Sequence, residues 1–271
     1  MAKQPTHNRQ TFFLLKKVNQ AIRQHNLIAE GDRIAVAVSG GKDSLSLLHL
    51  LGARQCVARE RYDLVAVHVI PAADAPCGSG QNTTSLEAWL QSEAVEYILT
   101  PMQEVDSLPE GRERSPCFHC AWRRRKALFL AADRMGCNKV ALGHHADDAA
   151  QTTLLNLFYQ GRLESMRPRV SFFDHRLTLI RPLIYVPEKE LVRLAAVCGF
   201  PPPPAACVNG QASRRALMAQ LLRTVEKSYP KVKINLWRAV ERTHQTSDPT
   251  EPRPLSLPIE NPAENDNPAP N

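Results

Sequence analysis

The 271-residue chain is 43% hydrophobic and carries a formal net charge of +7. That length suits one sizeable core with additions, and no apolar run reaches the ~18 residues a membrane helix needs. The N-terminus lacks the long apolar core and small-residue cleavage site of a signal peptide, so a soluble, cytoplasmic protein is expected.

Charge is unevenly spread. From Thr246 onward the chain holds five acids, one arginine and seven prolines. This tail carries −4, which leaves +11 on residues 1–245. Its composition predicts disorder over 246–271. A body this basic suits either a polyanionic partner such as nucleic acid or a merely solvated basic surface. Seven cysteines in a chain read as cytoplasmic point to thiols or metal ligands rather than disulfides.

In chain order, residues 8–26 place Phe12, Leu15, Val18 and Ile22 at helical spacing. "RIAVAV" at 33–38 reads as a buried strand and Ser44 to Leu51 as a helix. "LVAVHVI" at 64–70 predicts a second strand. A Pro/Gly loop follows, then a helix near 84–95 and a strand near 96–100. Trp122 to Met135 reads as helix, "KVALGHH" at 139–145 as a buried strand, and Ala146 to Tyr159 as helix. "RLTLIRPL" at 176–183 reads as a more exposed strand. Pro187 suits the opening of a helix to Cys198, and two helices are expected over 212–228 and 231–244. Apolar strands alternating with helices predict an α/β fold with a parallel sheet covered on both faces. Ligands of such sheets bind beyond the carboxyl ends of the strands. SGGKDS and GHHADD both begin at such ends, and CFHC precedes the fourth strand.

The turn Ser39-Gly40-Gly41-Lys42-Asp43-Ser44 joins strand to helix without a spacer. Free N–H groups at a helix start bind phosphate. Gly40 and Gly41 let a phosphate approach the backbone, Ser39 and Ser44 offer hydroxyls, and Lys42 offers charge. An ordinary P-loop is excluded. That pattern needs Gly where Val36 stands and Ser or Thr where Asp43 stands. Asp43 beside a phosphate calls for an intervening cation. These residues resemble the pyrophosphatase-loop (PP-loop) ATPases, which transfer AMP from ATP to an oxygen. By itself the motif leaves amide synthesis, lysidine formation and thiolation open.

Cys117-Phe118-His119-Cys120 is the chain's one CxxC. Cys56, Cys77, Cys137 and Cys198 stand alone and read as structural. Cys207 sits in "PPPPAACVNGQASRR", a stiff loop entering a basic helix. Three thiolates suit a [4Fe–4S] cluster with one open iron, or zinc completed by His119 or water. Ligand arithmetic leaves both open.

The stretch from "RSPCFHCAWRRRKALF" to "GHHADDAAQTTLLNLF" resembles the bacterial tRNA-cytidine 2-sulfurtransferases. So do "LIRPLIYVPEKEL", "FPPPPAAC" and "EKSYPKVKINLWRAV", and the likeness covers residues 10–245. It implies an adenine-nucleotide-hydrolase-like, Rossmann-like domain at 31–200. An N-terminal helical segment at 1–30, a C-terminal loop and helices at 201–245, and the tail would flank it. It implies a [4Fe–4S] cluster on Cys117, Cys120 and Cys207, with ATP and Mg²⁺ adenylating the C2 oxygen of cytidine 32 in the tRNA anticodon loop. A cysteine desulfurase as sulfur donor and a homodimer are implied as well. Two departures stand out: Pro204 replaces an earlier cysteine of the later site, and Ile70 stands where the second strand often ends in an acid.

Roles follow for Ser39, Gly40, Gly41, Lys42, Asp43 and Ser44 in holding ATP. Gly143 would let the nucleotide near the backbone, and His144 or His145 would contact nucleotide or the cluster surroundings, a packing role standing as the alternative for each. Asp147, or its neighbour Asp148, would bind Mg²⁺ or remove a proton, or else simply suit a helix start. Lys126 would reach the reaction centre. The run 123–126 with Arg112, Arg114, Arg214 and Arg215 would bind tRNA phosphates, and Trp122 reads as core. The competing readings are a related thiolase with another substrate, a lysidine-synthase-like enzyme, and a zinc-bearing tRNA-binding protein.

Overall fold

A computed structural model describes residues 9–71, 83–102, 116–203 and 214–245. The elements are α1 (Arg9–His25), β1 (Asp32–Ala37), α2 (Lys42–Gln55), β2 (Tyr62–Ile70), α3 (Thr84–Ser92), β3 (Glu96–Pro101) and α4 (Pro116–Arg134). There follow β4 (Lys139–Ala141), α5 (Ala146–Gln160), β5 (Arg169–Phe172), β6 (Leu177–Ile180), α6 (Glu188–Cys198), α7 (Arg214–Ser228) and α8 (Val232–Gln245).

The six strands lie in the order β3-β2-β1-β4-β6-β5. All neighbours run parallel except β5 with β6. Successive residues of β1 feed opposite faces, as a strand's two-residue period requires. Ile34 and Val36 pack in a cluster with α1, α2 and α6, whereas Ala35 packs with Leu128 and Ala131 of α4. A third cluster joins Ala150 and Leu154 of α5 to Met218 and Leu222 of α7.

Three expectations need correction. "RLTLIRPL" is not an exposed strand: all four residues of β6 are buried. The reason is β5, an antiparallel edge strand unread in the sequence, which makes β6 interior. Phe12 is not on the buried face of α1; Leu14 takes that place and Phe12 is exposed. The strand over 139–145 ends at Ala141, leaving Gly143 to His145 as irregular backbone. Among the described residues no helix is long and apolar enough to cross a membrane. The expected tail lies outside them.

A buried clamp ties the helices of one face together. His49 of α2 places Nε2 3.2 Å from Thr11 Oγ1 and 3.7 Å from Cys198 Sγ, and Nδ1 3.9 Å from Glu93. Burial opposes its charge, but Cys198 and Glu93 outweigh it and move its pKa up to about 9. A histidine raised in the fold stabilises most below its unfolded pKa, and that stability is lost as pH rises through the folded value. Chemical denaturation of wild type should therefore show stability falling from pH 6.5 to 9.5 relative to His49→Gln. A parallel pH dependence in the two proteins would refute this.

Candidate functional site

Strand order reverses between β1 and β4, and at such a point the two following loops part and leave a crevice. β1 leads into the turn at 39–44 and β4 into 142–148. Parallel pairing aligns Val36 with Ala141, so both loops leave the same edge of the sheet. α4 packs on β2 and β3 and its last turn leads into the start of β4, so its first turn lies toward that same edge.

The turn is shaped by its own side chains. Gly40 has φ +83°, a conformation costly for residues with a Cβ. Ser44 Oγ donates to Gly41 O at 2.9 Å and accepts from Ser39 N at 3.1 Å. Gly41 N donates to Ser39 Oγ at 3.3 Å. Both serines, expected as phosphate donors, thus brace the loop. Lys42 Nζ lies 2.9 Å from Glu188 of α6 and 3.2 Å from Asp43 Oδ2. Burial acts against its charge, yet the two carboxylates prevail and raise its pKa. Asp43 is raised instead: burial exceeds the help it receives from His145 and Lys42. Its Oδ1 is buried without a hydrogen-bond partner. The closest ion-pair contact of that oxygen is His145 Nε2, 3.8 Å away.

Gly143 meets the turn from the other side. A Cβ there would lie 3.0 Å from the carbonyl carbon and oxygen of Asp43 and 3.1 Å from Ser44 N. What the missing side chain admits is the backbone of the phosphate turn. Because backbone cannot swing aside, Gly143→Ala should displace the turn and cost about 1–3 kcal/mol. Calorimetry and ATP titration should show a lower Tm and weaker ATP binding. Unchanged ATP affinity would refute the contact's importance.

His144 accepts a hydrogen bond at Nδ1 from Arg181 Nε, 3.3 Å away. Burial first, then the Arg181 charge, push its pKa down to about 4. It is therefore neutral near pH 7, with its proton on Nε2. Arg181 is itself pushed down to about 10 by burial and by Arg125. Burial also lowers Arg125. Arg215 reaches Asp148 and Thr152, both at 3.3 Å. Two guanidinium groups, of Arg181 and Arg215, thus border the loop after β4, and the charge of Arg125 bears on the first.

Asp147 is engaged on both oxygens. Oδ2 accepts from the Glu188 amide at 2.7 Å, and Oδ1 pairs with Lys233 of α8. Burial opposes its charge, but Lys233 and that amide outweigh burial and hold the carboxyl below the ordinary range. Asp148 Oδ2 instead accepts from His145 N at 3.1 Å and caps α5.

Cys117 and Cys120 occupy the first turn of α4, a helix expected to begin only at Trp122. Arg124 Nη2 lies 3.9 Å from Cys120 Sγ. The Arg124 charge also lowers the pKa of His68, though burial does more. His68 Nδ1 donates to Val38 O at 2.7 Å, next to the turn, and its buried Nε2 has no hydrogen-bond partner. Arg124 of the cysteine helix thus acts by its charge on His68, which is held against the residue before the phosphate turn. Lys126 is exposed, with its ammonium over the Trp122 ring, 5.4 Å from the centroid. Arg125 is the member of that run whose charge bears on Arg181. Arg214 lies over Tyr159 at 4.3 Å. Cys207, Arg112 and Arg114 lie outside the described residues. Sequence reading missed His68, Arg181, Glu188 and Lys233. Only Arg181, in an Arg-Pro step after a strand, carries a local signal.

This edge, with its turn and switch point, defines a nucleotide-binding α/β protein, and the PP-loop domain family matches residues 13–200. The tRNA-cytidine(32) 2-sulfurtransferase of Citrifermentans bemidjiense is 39% identical over 232 residues, 84% of this chain and 89% of that protein. That of Geobacter metallireducens is 40% identical over 227 residues, 82% and 86%. The Serratia proteamaculans protein of the same name is 38% identical over 222 residues, 80% and 69%. The chain belongs to the tRNA-cytidine(32) 2-sulfurtransferase family of PP-loop proteins. The U34-tRNA thiolase NcsA from Methanococcus maripaludis, solved with its [4Fe-4S] cluster, shares the fold. It has a TM-score of 0.65 and 23% identity over 88% of this chain and 81% of that one.

Proposed function

We propose that this chain is an ATP-dependent tRNA sulfurtransferase that converts cytidine 32 to 2-thiocytidine. The observation that carries the reading is the convergence of turn and cysteine helix on one sheet edge. A phosphate turn with an orphaned carboxylate oxygen activates an oxygen, and the cysteine pair in the first turn of α4 serves a sulfur nucleophile. Family membership supports the same chemistry.

The base's C2 oxygen attacks the α-phosphorus of ATP and pyrophosphate leaves. A sulfur nucleophile then adds at C2, and AMP departs with the oxygen. The Lys42 and Asp43 amides at the start of α2 take phosphate. Lys42 leaves or shares Glu188 to neutralise phosphate charge. Neutral His144 offers its Nε2–H, and Arg181 and Arg125 hold the anion that develops. Asp147, fixed between Lys233 and α6, keeps the loop after β4 in place. Lys126 lies at the tRNA-facing surface rather than at the phosphates.

Among the described residues no three His, Cys, Asp or Glu side chains stand together as a metal site. The unpartnered Oδ1 of Asp43 fits a divalent cation shared with ATP phosphates, since Mg²⁺ is commonly held by one or two carboxylates plus phosphate. Cys117 and Cys120 are soft donors suited to iron–sulfur ligation, with Cys207 as the third ligand. The cluster, when bound, supplies an iron able to carry sulfur. Residues 31–200 form the proposed catalytic domain, with 1–30 and 201–245 flanking it. A cysteine desulfurase as donor, a homodimer and a cytoplasmic setting complete the proposal.

Nucleoside mass spectrometry of tRNA from a deletion strain tests it. Loss of 2-thiocytidine, restored by wild type and not by Cys120→Ala, is expected. Intact 2-thiocytidine in the deletion strain would overturn the substrate. One zinc and no iron after anaerobic purification would overturn the cluster.

A further inference from the structure

The outward face of α1 carries no acid. Arg9, Phe12, Phe13, Lys16, Gln20 and Arg23 are all exposed along it, and the whole 17-residue helix contains no Asp or Glu. Phe12 is 57% and Phe13 45% exposed. Their rings meet edge to face with centroids 5.8 Å apart. Lys16 Nζ lies 5.0 Å from the Phe12 centroid and 5.4 Å from that of Phe13, and Arg9 Cζ lies 5.7 Å from the Phe13 ring.

Folding does not call for these rings. Leu14, Leu15, Val18 and Ile22 already bury the opposite face, so α1 docks without them. A surface built for an apolar protein partner would surround the rings with aliphatic residues. Among the described residues of α1, cations and amides flank them instead. Stacking rings beside cations are how proteins hold single-stranded nucleic acid: rings take base faces and cations take phosphates. The helix is also tied to the catalytic edge. Lys17 pairs with Glu190 at 2.8 Å in the first turn of α6, and Glu188 of that turn holds Lys42.

We propose that Phe12 and Phe13 form a stacking platform for an unpaired tRNA base, with Arg9 and Lys16 on the adjacent phosphates. This deepens the tRNA reading above and rests on it.

Fluorescence anisotropy with a transcribed tRNA tests the platform at several salt concentrations. Phe12→Leu/Phe13→Leu keeps apolar area and removes π-faces, and should weaken binding about tenfold. Phe12→Tyr/Phe13→Tyr should bind within about twofold of wild type. Lys16→Ala should weaken binding and lower the salt slope by about one. Melting temperatures should match wild type, because the rings are exposed. If wild type binds and the leucine variant binds equally well, the platform is wrong and the tRNA reading stands. If wild type binds no tRNA, the tRNA reading itself fails.

Discussion

Asp43→Asn is expected to lower thiolation by about 10²–10³-fold while leaving the fold intact. The magnitude is that of removing a group aimed at charge in the transition state. Asp43 has one oxygen against Lys42 and one buried with no hydrogen-bond partner. That second oxygen is expensive to keep dry unless a cation meets it when ATP binds. Asparagine presents a neutral oxygen of the same size and loses the charge. Its stability should not fall. The folded Asp43 has a raised pKa, so the fold prefers its protonated form, and ionisation at neutral pH works against folding. Asn removes that cost. Single-turnover thiolation and thermal unfolding at pH 7.5 check both halves. Activity within tenfold of wild type would show that Asp43 does not serve the reaction, whereas a sharply lower Tm would show a structural part.

Asp147→Ala should do the opposite. Asp147 is 8% exposed and joins three elements: its own α5, the first turn of α6 through the Glu188 amide, and α8 through Lys233. Removal strands a buried amide and weakens a largely buried lysine's pairing, though Glu226 still holds Lys233 at 2.6 Å. The expected loss is about 2–4 kcal/mol, or roughly 5–12 °C in Tm for a domain of this size. Because Asp147 is lowered in the fold, its contribution is present above the unfolded carboxylate pKa and is lost as pH falls through the folded one. Wild type should therefore outlast the variant at pH 7 and converge with it in acid. Turnover per folded molecule, measured well below the variant's Tm, should stay within tenfold. A hundredfold fall in turnover with unchanged Tm would mark Asp147 as a catalytic acid instead.

These two aspartates show where sequence reading ends. Both stand at helix starts beside a strand end, and both read as cation or proton groups. The difference lies in what reaches each carboxylate from elsewhere: Lys233 stands 86 residues beyond Asp147. The alternation of apolar strands with helices fixed the α/β class, because strands buried on both faces must be apolar throughout. The turn at 39–44 was legible since its chemistry is local: positive φ at Gly40, brief spacing and a helix start. Its serines were legible as polar but not as braces, which depends on loop closure. Strand β5 escaped notice because four residues of mixed polarity carry no clear period, and its pairing alone made β6 interior. His68, Arg181 and Glu188 matter through neighbours 30 to 150 residues away in the chain. Sequence by itself determined the fold class, the phosphate turn and the thiol pair, each set by contiguous residues. Tertiary structure alone decided which carboxylate keeps one oxygen without a hydrogen-bond partner at the turn and which is locked between helices, because burial and pairing arise only when distant segments pack.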